Sequence, residues 1–232
     1  MTEPDAPKLV FLLDVDNTLL DNDRLKADLQ RDILESLGPE RADRFWQIYE
    51  DVRAEGDYVD YPTTIERIVD EYGDPIMRER LEQLLDRIDF KSYLYPHVLD
   101  AIARMKRFGT VVILSDGDSV FQPEKIKKSG LEVATDGHVL VYVHKEKELA
   151  RVFERYPADH YVMVDDKPRI TAALEKMCPT TFTTILVLQG KYAQAAGEYS
   201  PKHDIVVERI GDLRTFGREQ FLASARADVV PG

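Results

Sequence analysis

The sequence predicts an α/β protein: a parallel β-sheet core with helices on both faces, and a block of helices inserted after the first strand. Three observations support this fold class. From residue 95 onward, short apolar runs alternate with amphipathic helical segments. An earlier apolar run, residues 8–13, is followed by a long charged stretch with helical periodicity. Several apolar runs end in Asp, Ser or Lys, and open α/β sheets bind ligands where their strands end.

The composition limits the possible partners and compartments. The chain has 232 residues, 44% of them hydrophobic, and a formal net charge of -12, which disfavours nucleic acid and anionic membrane surfaces as partners. Its single cysteine, Cys178, allows no intrachain disulfide. The acidic start, residues 1–7, differs from a secretory signal. We therefore expect a cytoplasmic monomer or homodimer that acts on a small molecule.

The first predicted strand leads directly into two aspartates. Residues 8–13 read Lys-Leu-Val-Phe-Leu-Leu, the pattern of a strand that is buried on both faces. Asp14 and Asp16 follow, one residue apart. Two carboxylates this close repel each other unless a cation or a shared proton lies between them. This pair is the first indication of a metal site.

The segment after the first strand is predicted to be helical throughout. Apolar residues recur at helical spacing, and Gly, Pro and candidate capping residues separate the helices. The predicted helices cover residues 24–37, 40–54, 63–72 and 76–88, with a loop at 55–62. The expected domains are an α/β core of residues 1–20 and 93–232 and a helical domain of residues 21–92.

The remaining chain alternates between strands and helices, which favours a parallel sheet. The predicted strands cover residues 110–114, 139–143, 161–164, 184–188 and 205–207. The predicted helices cover residues 97–108, 122–129, 146–156, 169–177 and 218–225.

Polar groups follow several of these strands and should meet at one edge of the sheet. The second strand ends at Ser115, the third at His144 and Lys145, and the fourth at Asp165 and Asp166. Together with the aspartates after the first strand, they supply carboxylates, a hydroxyl and an ammonium group. This set suits Mg²⁺-dependent phosphoryl transfer, because Mg²⁺ prefers carboxylate oxygens, water and phosphate.

These motifs resemble those of the haloacid dehalogenase superfamily of hydrolases, and the resemblance covers essentially the whole chain. Asp14-Val15-Asp16-Asn17-Thr18 is similar to the first motif, Ser115 to the second, Lys145 to the third and Asp165-Asp166 to the fourth. The helical block lies where this family carries a C1-type cap domain. The resemblance implies a Rossmann-like core and favours the phosphatase-like branch.

The resemblance also implies a role for each acidic residue. Asp14 would attack phosphorus and become an aspartyl-phosphate, and Asp16 would act as the general acid and base. The side chains of Asp14 and Asp166, with the backbone carbonyl of Asp16, would hold Mg²⁺. Asp165 would assist at the metal.

The other predicted site residues would bind the substrate or offset its charge. Ser115 would donate a hydrogen bond to the phosphoryl group, and Lys145 would offset negative charge. The residues predicted to lie beside the substrate are Thr18, Asp116 and Gly117. Thr18 would chiefly support the loop.

Asp16 favours a phosphatase over a dehalogenase, because an alkoxide leaving group needs a proton whereas a halide does not. A phosphomutase, a 2-haloacid dehalogenase-like hydrolase and a weakly catalytic ligand-binding relative remain alternatives. No residue of the helical block identifies the substrate beyond a small phosphorylated metabolite.

The sequence also leads to expectations for two more lysines and two tyrosines. The third-motif lysine could be Lys145 or Lys147, and we favour Lys145 because it lies nearer the end of the strand. Lys167 could neutralise Asp165 or face solvent, and we favour solvent. Tyr58 and Tyr61 are expected on a loop that could close over a substrate.

Overall fold

Six parallel strands form a single sheet in the order β3-β2-β1-β4-β5-β6. The structure is a computed structural model that describes residues 6–56, 58–168, 170, 182–193 and 203–222. Helices flank the sheet, so the predicted α/β class with a parallel sheet is confirmed. The strands are β1 Leu9–Leu13, β2 Gly109–Asp116, β3 Val139–Tyr142, β4 His160–Asp165, β5 Phe182–Val187 and β6 Ile205–Val207.

The central strand β1 is buried on both faces, as its unbroken apolar run predicts. Leu9, Phe11 and Leu13 join the hydrophobic cluster on one face of the sheet, and Val10 and Leu12 join the cluster on the other. This alternation follows from the two-residue period of a strand. The core therefore has a helical layer on each side of the sheet.

The register brings the polar strand ends to one edge of the sheet. Leu13 pairs with Ile113 of β2 on one side and with Val164 of β4 on the other. Asp14, Ser115 and Asp165 therefore follow or end neighbouring strands at nearly the same level. This is the edge where the sequence predicts a site.

Ten α-helices lie within the described residues. They are α1 Asn22–Leu37, α2 Pro39–Gly56, α3 Tyr61–Tyr72, α4 Pro75–Asp86, α5 Val98–Lys106, α6 Phe121–Lys128, α7 Leu131–Ala134, α8 Leu149–Arg155, α9 Gly190–Ala193 and α10 Arg218–Leu222. Short 3₁₀ turns cover Phe90–Tyr93, Lys145–Lys147 and Ile210–Thr215.

Helices α1–α4 follow β1 without an intervening strand, and we call them the helical insert. Aspartate side chains cap three of them: Asp21 at α1, Asp60 at α3 and Asp74 at α4 each accept a backbone N–H from the first turn. The insert packs a hydrophobic cluster of its own around Phe45 and Ile68. The division into a core and a separate domain of residues 21–92 stays a prediction.

Some predicted element boundaries differ from those observed. Tyr61 is the first residue of α3, so only Tyr58 keeps its expected position in the loop before that helix. The helix expected at 146–156 divides into the 3₁₀ turn Lys145–Lys147 and α8. The apolar residues of this segment follow one helical spacing, so the sequence alone could not indicate the division into a 3₁₀ turn and a helix.

Two sequence-based expectations fall on parts of the chain that are not described. The helix predicted at 169–177, apart from residue 170, and Cys178 lie outside the described residues, as do residues 223–225 of the last predicted helix. Within the described part of the chain, none of the helices combines the length and apolar character needed to span a bilayer.

Candidate active site

The loop after β1 is held so that its two aspartates point to different places. The Asp14 backbone N–H donates to the Val164 carbonyl at 3.0 Å, which continues the sheet by one residue. Asn17 adopts a left-handed conformation with φ 63°, and its side-chain oxygen accepts the Asp23 N–H at 3.2 Å. Gly190 packs so closely that a β-carbon there would lie 2.5 Å from the Asn17 side chain. These contacts fix the loop between the sheet and α1.

Asp14 is a buried carboxylate held between an ammonium group and a hydroxyl. Its Oδ1 atom lies 2.5 Å from Nζ of Lys145, and its Oδ2 atom accepts a hydrogen bond from Thr18 Oγ1 at 3.2 Å. Burial alone would raise the pKa of Asp14, but the positive charges of Lys145 and Lys167 outweigh it and lower that pKa. Asp14 is therefore expected to carry a negative charge in the folded protein.

Lys145, rather than Lys147, is the lysine that reaches the carboxylates. Its side chain is buried and its Nζ atom also lies 2.6 Å from Asp165 Oδ2, whereas Lys147 is exposed. Its backbone N–H donates to Asp116 Oδ1 at 2.9 Å, which anchors the 3₁₀ turn to the end of β2. Burial opposes the charged form, but Asp14 and Asp165 outweigh it and raise the pKa of Lys145.

Asp14, Asp165 and Asp166 form a buried carboxylate cluster that could hold a metal ion. One oxygen of each lies within 4.8 Å of those of the other two. Both oxygens of Asp166 are buried and have no hydrogen-bond partner among the described residues. Burial, followed by the charges of Asp14 and Asp165, raises the pKa of Asp166 to about 8.

This donor set fits Mg²⁺. Hard oxygen ligands from a few carboxylates, completed by water, are what Mg²⁺ requires. Buried polar atoms are normally satisfied, so the two bare oxygens of Asp166 indicate a ligand. Unlike Asp166, Asp165 has a partner for each oxygen. Its Oδ1 atom accepts the Lys167 N–H at 2.8 Å, and its Oδ2 atom faces Lys145.

Asp16 points away from this cluster and lines a cleft. Its Oδ1 atom lies 2.7 Å from Nζ of Lys125, and its Oδ2 atom lies 3.5 Å from Gln122 Nε2. A quarter of the Asp16 side chain is exposed, against 4% of the Lys125 side chain. The carboxylate is therefore fixed in direction yet open to a molecule in the cleft.

The end of β2 places the second-motif residues beside Asp16. Ser115 is buried, and its hydroxyl oxygen accepts a hydrogen bond from Gln122 Nε2 at 2.8 Å. Gly117 lines the cleft, and its N–H donates to the Tyr142 carbonyl at 2.9 Å. A β-carbon on Gly117 would lie 2.6 Å from the Gln122 side chain. Glycine is therefore required there for α6 to approach the strand end.

The expectation that Lys167 faces solvent is wrong. Only 18% of its side chain is exposed, and its Nζ atom lies 3.6 Å from Asp116 Oδ2. Burial opposes its charge, but Asp14, Asp165 and neighbouring carboxylates raise its pKa. Because Lys167 follows the acidic pair at the sheet edge, its side chain folds over the cluster and partly offsets the negative charge that Asp116 adds.

The sequence assigned no site role to Gln122 or Lys125, and for Lys167 it left open neutralisation of Asp165 or exposure to solvent. A signal existed for the first two, since they are polar residues three apart in the predicted helix 122–129. For Lys167 the signal was its position directly after Asp165 and Asp166.

The cleft lies between the sheet edge and the helical insert. Its volume is about 530 Å³, and the insert contributes Tyr49, Tyr58 and Tyr61 to a lining that also includes Asp16 and Lys125. A cavity of this size accommodates a small organic molecule.

Comparisons with known proteins agree with this architecture. A family model described as haloacid dehalogenase-like hydrolase matches residues 9–177. A solved structure of a haloacid dehalogenase-like hydrolase from Burkholderia xenovorans LB400 is 44% identical in sequence, with a TM-score of 0.83; the match covers 91% of this chain and 100% of that one. No curated protein matches the chain.

Two more distant structures share the fold. The HAD-hydrolase YfnB from Bacillus subtilis, bound to magnesium, is 15% identical, with a TM-score of 0.57 over 90% of this chain and 97% of that one. The L-2-haloacid dehalogenase from Xanthobacter autotrophicus is 17% identical, with a TM-score of 0.55; the match covers 88% of this chain and 96% of that one.

Proposed function

The chain belongs to the haloacid dehalogenase-like hydrolases, and we propose that within this family it is a Mg²⁺-dependent phosphatase of a small phosphorylated metabolite. The hydrolysis would proceed through an aspartyl-phosphate on Asp14. The position of Asp16 carries this proposal. Its carboxylate lines the cleft two residues after the buried Asp14, where it could protonate a leaving oxygen.

That placement favours ester hydrolysis over cleavage of a carbon–halogen bond. A departing alkoxide is a strong base and must be protonated, whereas a halide leaves without a proton. A dehalogenase would therefore gain nothing from an acid at this position. The 2.7 Å contact with Lys125 fixes the direction of the Asp16 carboxylate in the cleft.

In the first step, a carboxylate oxygen of Asp14 would form a bond to phosphorus while the bond from phosphorus to the leaving oxygen breaks. Protonated Asp16 would donate its proton to that oxygen. Ser115 would donate a hydrogen bond to the phosphoryl group, and Lys145 would hold Asp14 in its attacking position. Thr18 would support Asp14 from the other side through its 3.2 Å hydrogen bond.

In the second step, ionised Asp16 would take a proton from water as the water oxygen attacks phosphorus. The bond between phosphorus and the Asp14 oxygen would break, which releases inorganic phosphate and restores the carboxylate. Lys125, 2.7 Å from Asp16 Oδ1, would hold the carboxylate in position for this step.

The side chains of Asp14 and Asp166 and the backbone carbonyl of Asp16 would hold Mg²⁺, whose charge would reduce the repulsion between an anionic nucleophile and an anionic phosphate ester. Asp165 would act chiefly by orienting Lys145, given their 2.6 Å contact. Asp116 and Gly117, at the end of β2, would lie beside the bound phosphate.

We further propose that the helical insert acts as a cap over the cleft. Three of its tyrosines line the cleft opposite Asp16, so closing the insert onto a substrate would exclude water from the first step. We also propose that the protein acts in the cytoplasm as a monomer or homodimer.

Phosphate release from a panel of phosphorylated metabolites and from p-nitrophenyl phosphate, with and without Mg²⁺, tests the proposal. We expect Mg²⁺-dependent release from at least one ester. Halide release from 2-haloacids without phosphate release would instead indicate a dehalogenase. Transfer to a second substrate hydroxyl in preference to water would indicate a phosphomutase. Tight binding of a phosphorylated ligand with no turnover would indicate a non-catalytic relative.

A further inference from the structure

We infer that the wall of the cleft formed by the helical insert binds a second anionic group of the substrate, through Lys26 and Arg53. The substrates would then be phosphate monoesters whose leaving group carries a carboxylate or another anion. This inference rests on the proposed phosphatase function, and it names the substrate class of that site.

The charge balance of the cleft is the reverse of that of the chain. The whole sequence has 31 lysines and arginines against 43 aspartates and glutamates. Among the described residues that line the cleft, six are lysine or arginine and four are aspartate or glutamate. A cleft lining with more cations than acids, in a chain that is acidic overall, is suited to an anionic ligand.

Two of the four acidic residues of the cleft, Asp16 and Asp118, are engaged by other groups. Asp16 is paired with Lys125 at 2.7 Å. Asp118 accepts the backbone N–H groups of Val120 and Phe121, each at 2.6 Å, through one oxygen. These contacts occupy oxygens that would otherwise compete with a substrate for the cations.

Lys26 and Arg53 share a single carboxylate. Nζ of Lys26 lies 3.3 Å from Glu50, and the Arg53 guanidinium lies 3.2 Å from the other oxygen of the same residue. Two cations on one acid leave a net charge of +1 on this wall. Because 53% of the Glu50 side chain is exposed, water weakens its hold on both cations, and a substrate anion can compete.

Buried tyrosines lie beside Lys26 in the lining of the cleft. The ammonium group of Lys26 lies 4.8 Å from the centre of the Tyr49 ring, which holds the chain against the wall. Tyr49 and Tyr61 are both buried and line the same cleft. Burial raises the pKa of the Tyr49 hydroxyl to about 12, so it stays neutral and adds no negative charge beside the cations.

Matched pairs of substrates test this inference. Each pair consists of an ω-carboxyalkyl phosphate ester and the alkyl phosphate of the same length, such as 3-(phosphonooxy)propionate and n-propyl phosphate, over chains of two to five carbons. For at least one length we expect kcat/KM to favour the carboxylate by about tenfold, the effect of one charge-assisted hydrogen bond. Added salt should reduce the preference, because these cations are partly exposed.

Three variants separate this role from a structural one. The Lys26→Met/Arg53→Met double variant should bring the ratio within each pair close to one. Glu50→Gln should raise the ratio above that of the wild type, since it frees both cations, and a misfolded protein could not produce that gain. Arg44→Met is the matched control, because Arg44 lies on the same helix but pairs with Glu71 at 2.7 Å outside the cleft; its ratio should equal that of the wild type.

The outcomes separate this inference from the proposed function. Phosphate release without preference at any chain length would overturn the second-anion site and leave the phosphatase standing. If no ester is hydrolysed, the phosphatase proposal fails, and calorimetric binding of the same pairs to the Asp14→Asn variant with Mg²⁺ decides this inference. Equal affinities within every pair, or a ratio that Glu50→Gln does not raise, would overturn it.

Discussion

Nζ of Lys145 lies 2.5 Å from Oδ1 of Asp14, and each of the two side chains is only 1% exposed. The same ammonium group faces Asp165 at 2.6 Å. Removing one partner from such a buried group leaves a charge without compensation, which costs more than losing an exposed pair. Lys145 is therefore expected to matter for stability as well as for catalysis.

Replacing this lysine should affect both properties. We expect Lys145→Met to lower the free energy of unfolding by about 3–5 kcal/mol and to reduce phosphate release to near background, because Asp14 loses its orienting partner. Urea unfolding and phosphate release measure the two effects. Lys147→Met is the matched variant, and it should lose far less of both because Lys147 is exposed. Equal losses in the two variants would contradict the assignment of Lys145.

Asp14→Asn should abolish turnover without unfolding the chain. The amide keeps the size of the side chain but cannot act as the anionic nucleophile, so we expect at least about a thousandfold loss of kcat. Phosphate release and circular dichroism provide the readouts. Asp43→Asn, an exposed aspartate on α2, is the control and should retain activity. A fully active Asp14→Asn variant would remove Asp14 from the mechanism.

Asp16→Asn should discriminate between leaving groups. An alkoxide requires protonation and a p-nitrophenolate hardly does, so alkyl phosphates should lose about 10²–10⁴-fold in kcat and the aryl ester much less. Steady-state kinetics on one alkyl and one aryl ester measure the difference. Equal losses on the two esters would show that Asp16 does not protonate the leaving group.

Removal of the metal should stop the reaction reversibly. We expect EDTA to abolish phosphate release and added Mg²⁺ to restore it, since Asp14, Asp165 and Asp166 cluster within 4.8 Å. Asp166→Asn should raise the Mg²⁺ concentration needed for half-maximal rate, by about 10-fold or more. Titration of activity with Mg²⁺ measures this. An unchanged Mg²⁺ requirement in Asp166→Asn would exclude Asp166 as a ligand.

His160 should make the fold less stable in mild acid. Its Nε2 atom lies 2.8 Å from Thr183 Oγ1, and burial lowers its pKa despite the nearby charge of Asp204. The unfolded chain therefore binds a proton more readily, so stability is full above pH 6.5 and falls as the pH drops toward the lowered value. Because His160 is half-buried, the loss should stay below about 1 kcal/mol.

Urea unfolding at pH 8 and pH 5.5 checks the contribution of His160. His160→Gln keeps a hydrogen-bonding side chain without the titration, so its stability should change less between the two pH values than that of the wild type. An identical pH dependence in the two proteins would remove His160 from this effect.

The fold and the acidic residues of the site could be predicted from the sequence, because the patterns that indicate them lie within short segments of the chain. An unbroken apolar strand ending at Asp14 and Asp16 specifies its own burial and position. The parallel sheet then brings Ser115, Lys145 and Asp165 to the same edge wherever they lie in the chain. Residue type, the alternation of strands with helices and the resemblance of the four motifs were sufficient for these predictions.

The tertiary structure decided which charges meet. Lys125 reaches Asp16 because α6 packs against the end of β2, where Gly117 permits a close approach. Lys167 turns onto the carboxylates because a buried cluster of negative charge needs a nearby cation. Side-chain direction across such contacts depends on packing between elements distant in sequence, and no local pattern encodes it.

The same distinction applies to substrate selection. The sequence by itself determined the class of fold and the polar residues at the strand ends. Hydrophobic periodicity and the alternation of strands with helices can both be recognised in short segments of the chain. Only the tertiary structure placed Lys26 and Arg53 of the helical insert on the wall facing Asp16. That placement depends on how the insert packs over the sheet edge, and hence on contacts between residues far apart in the chain.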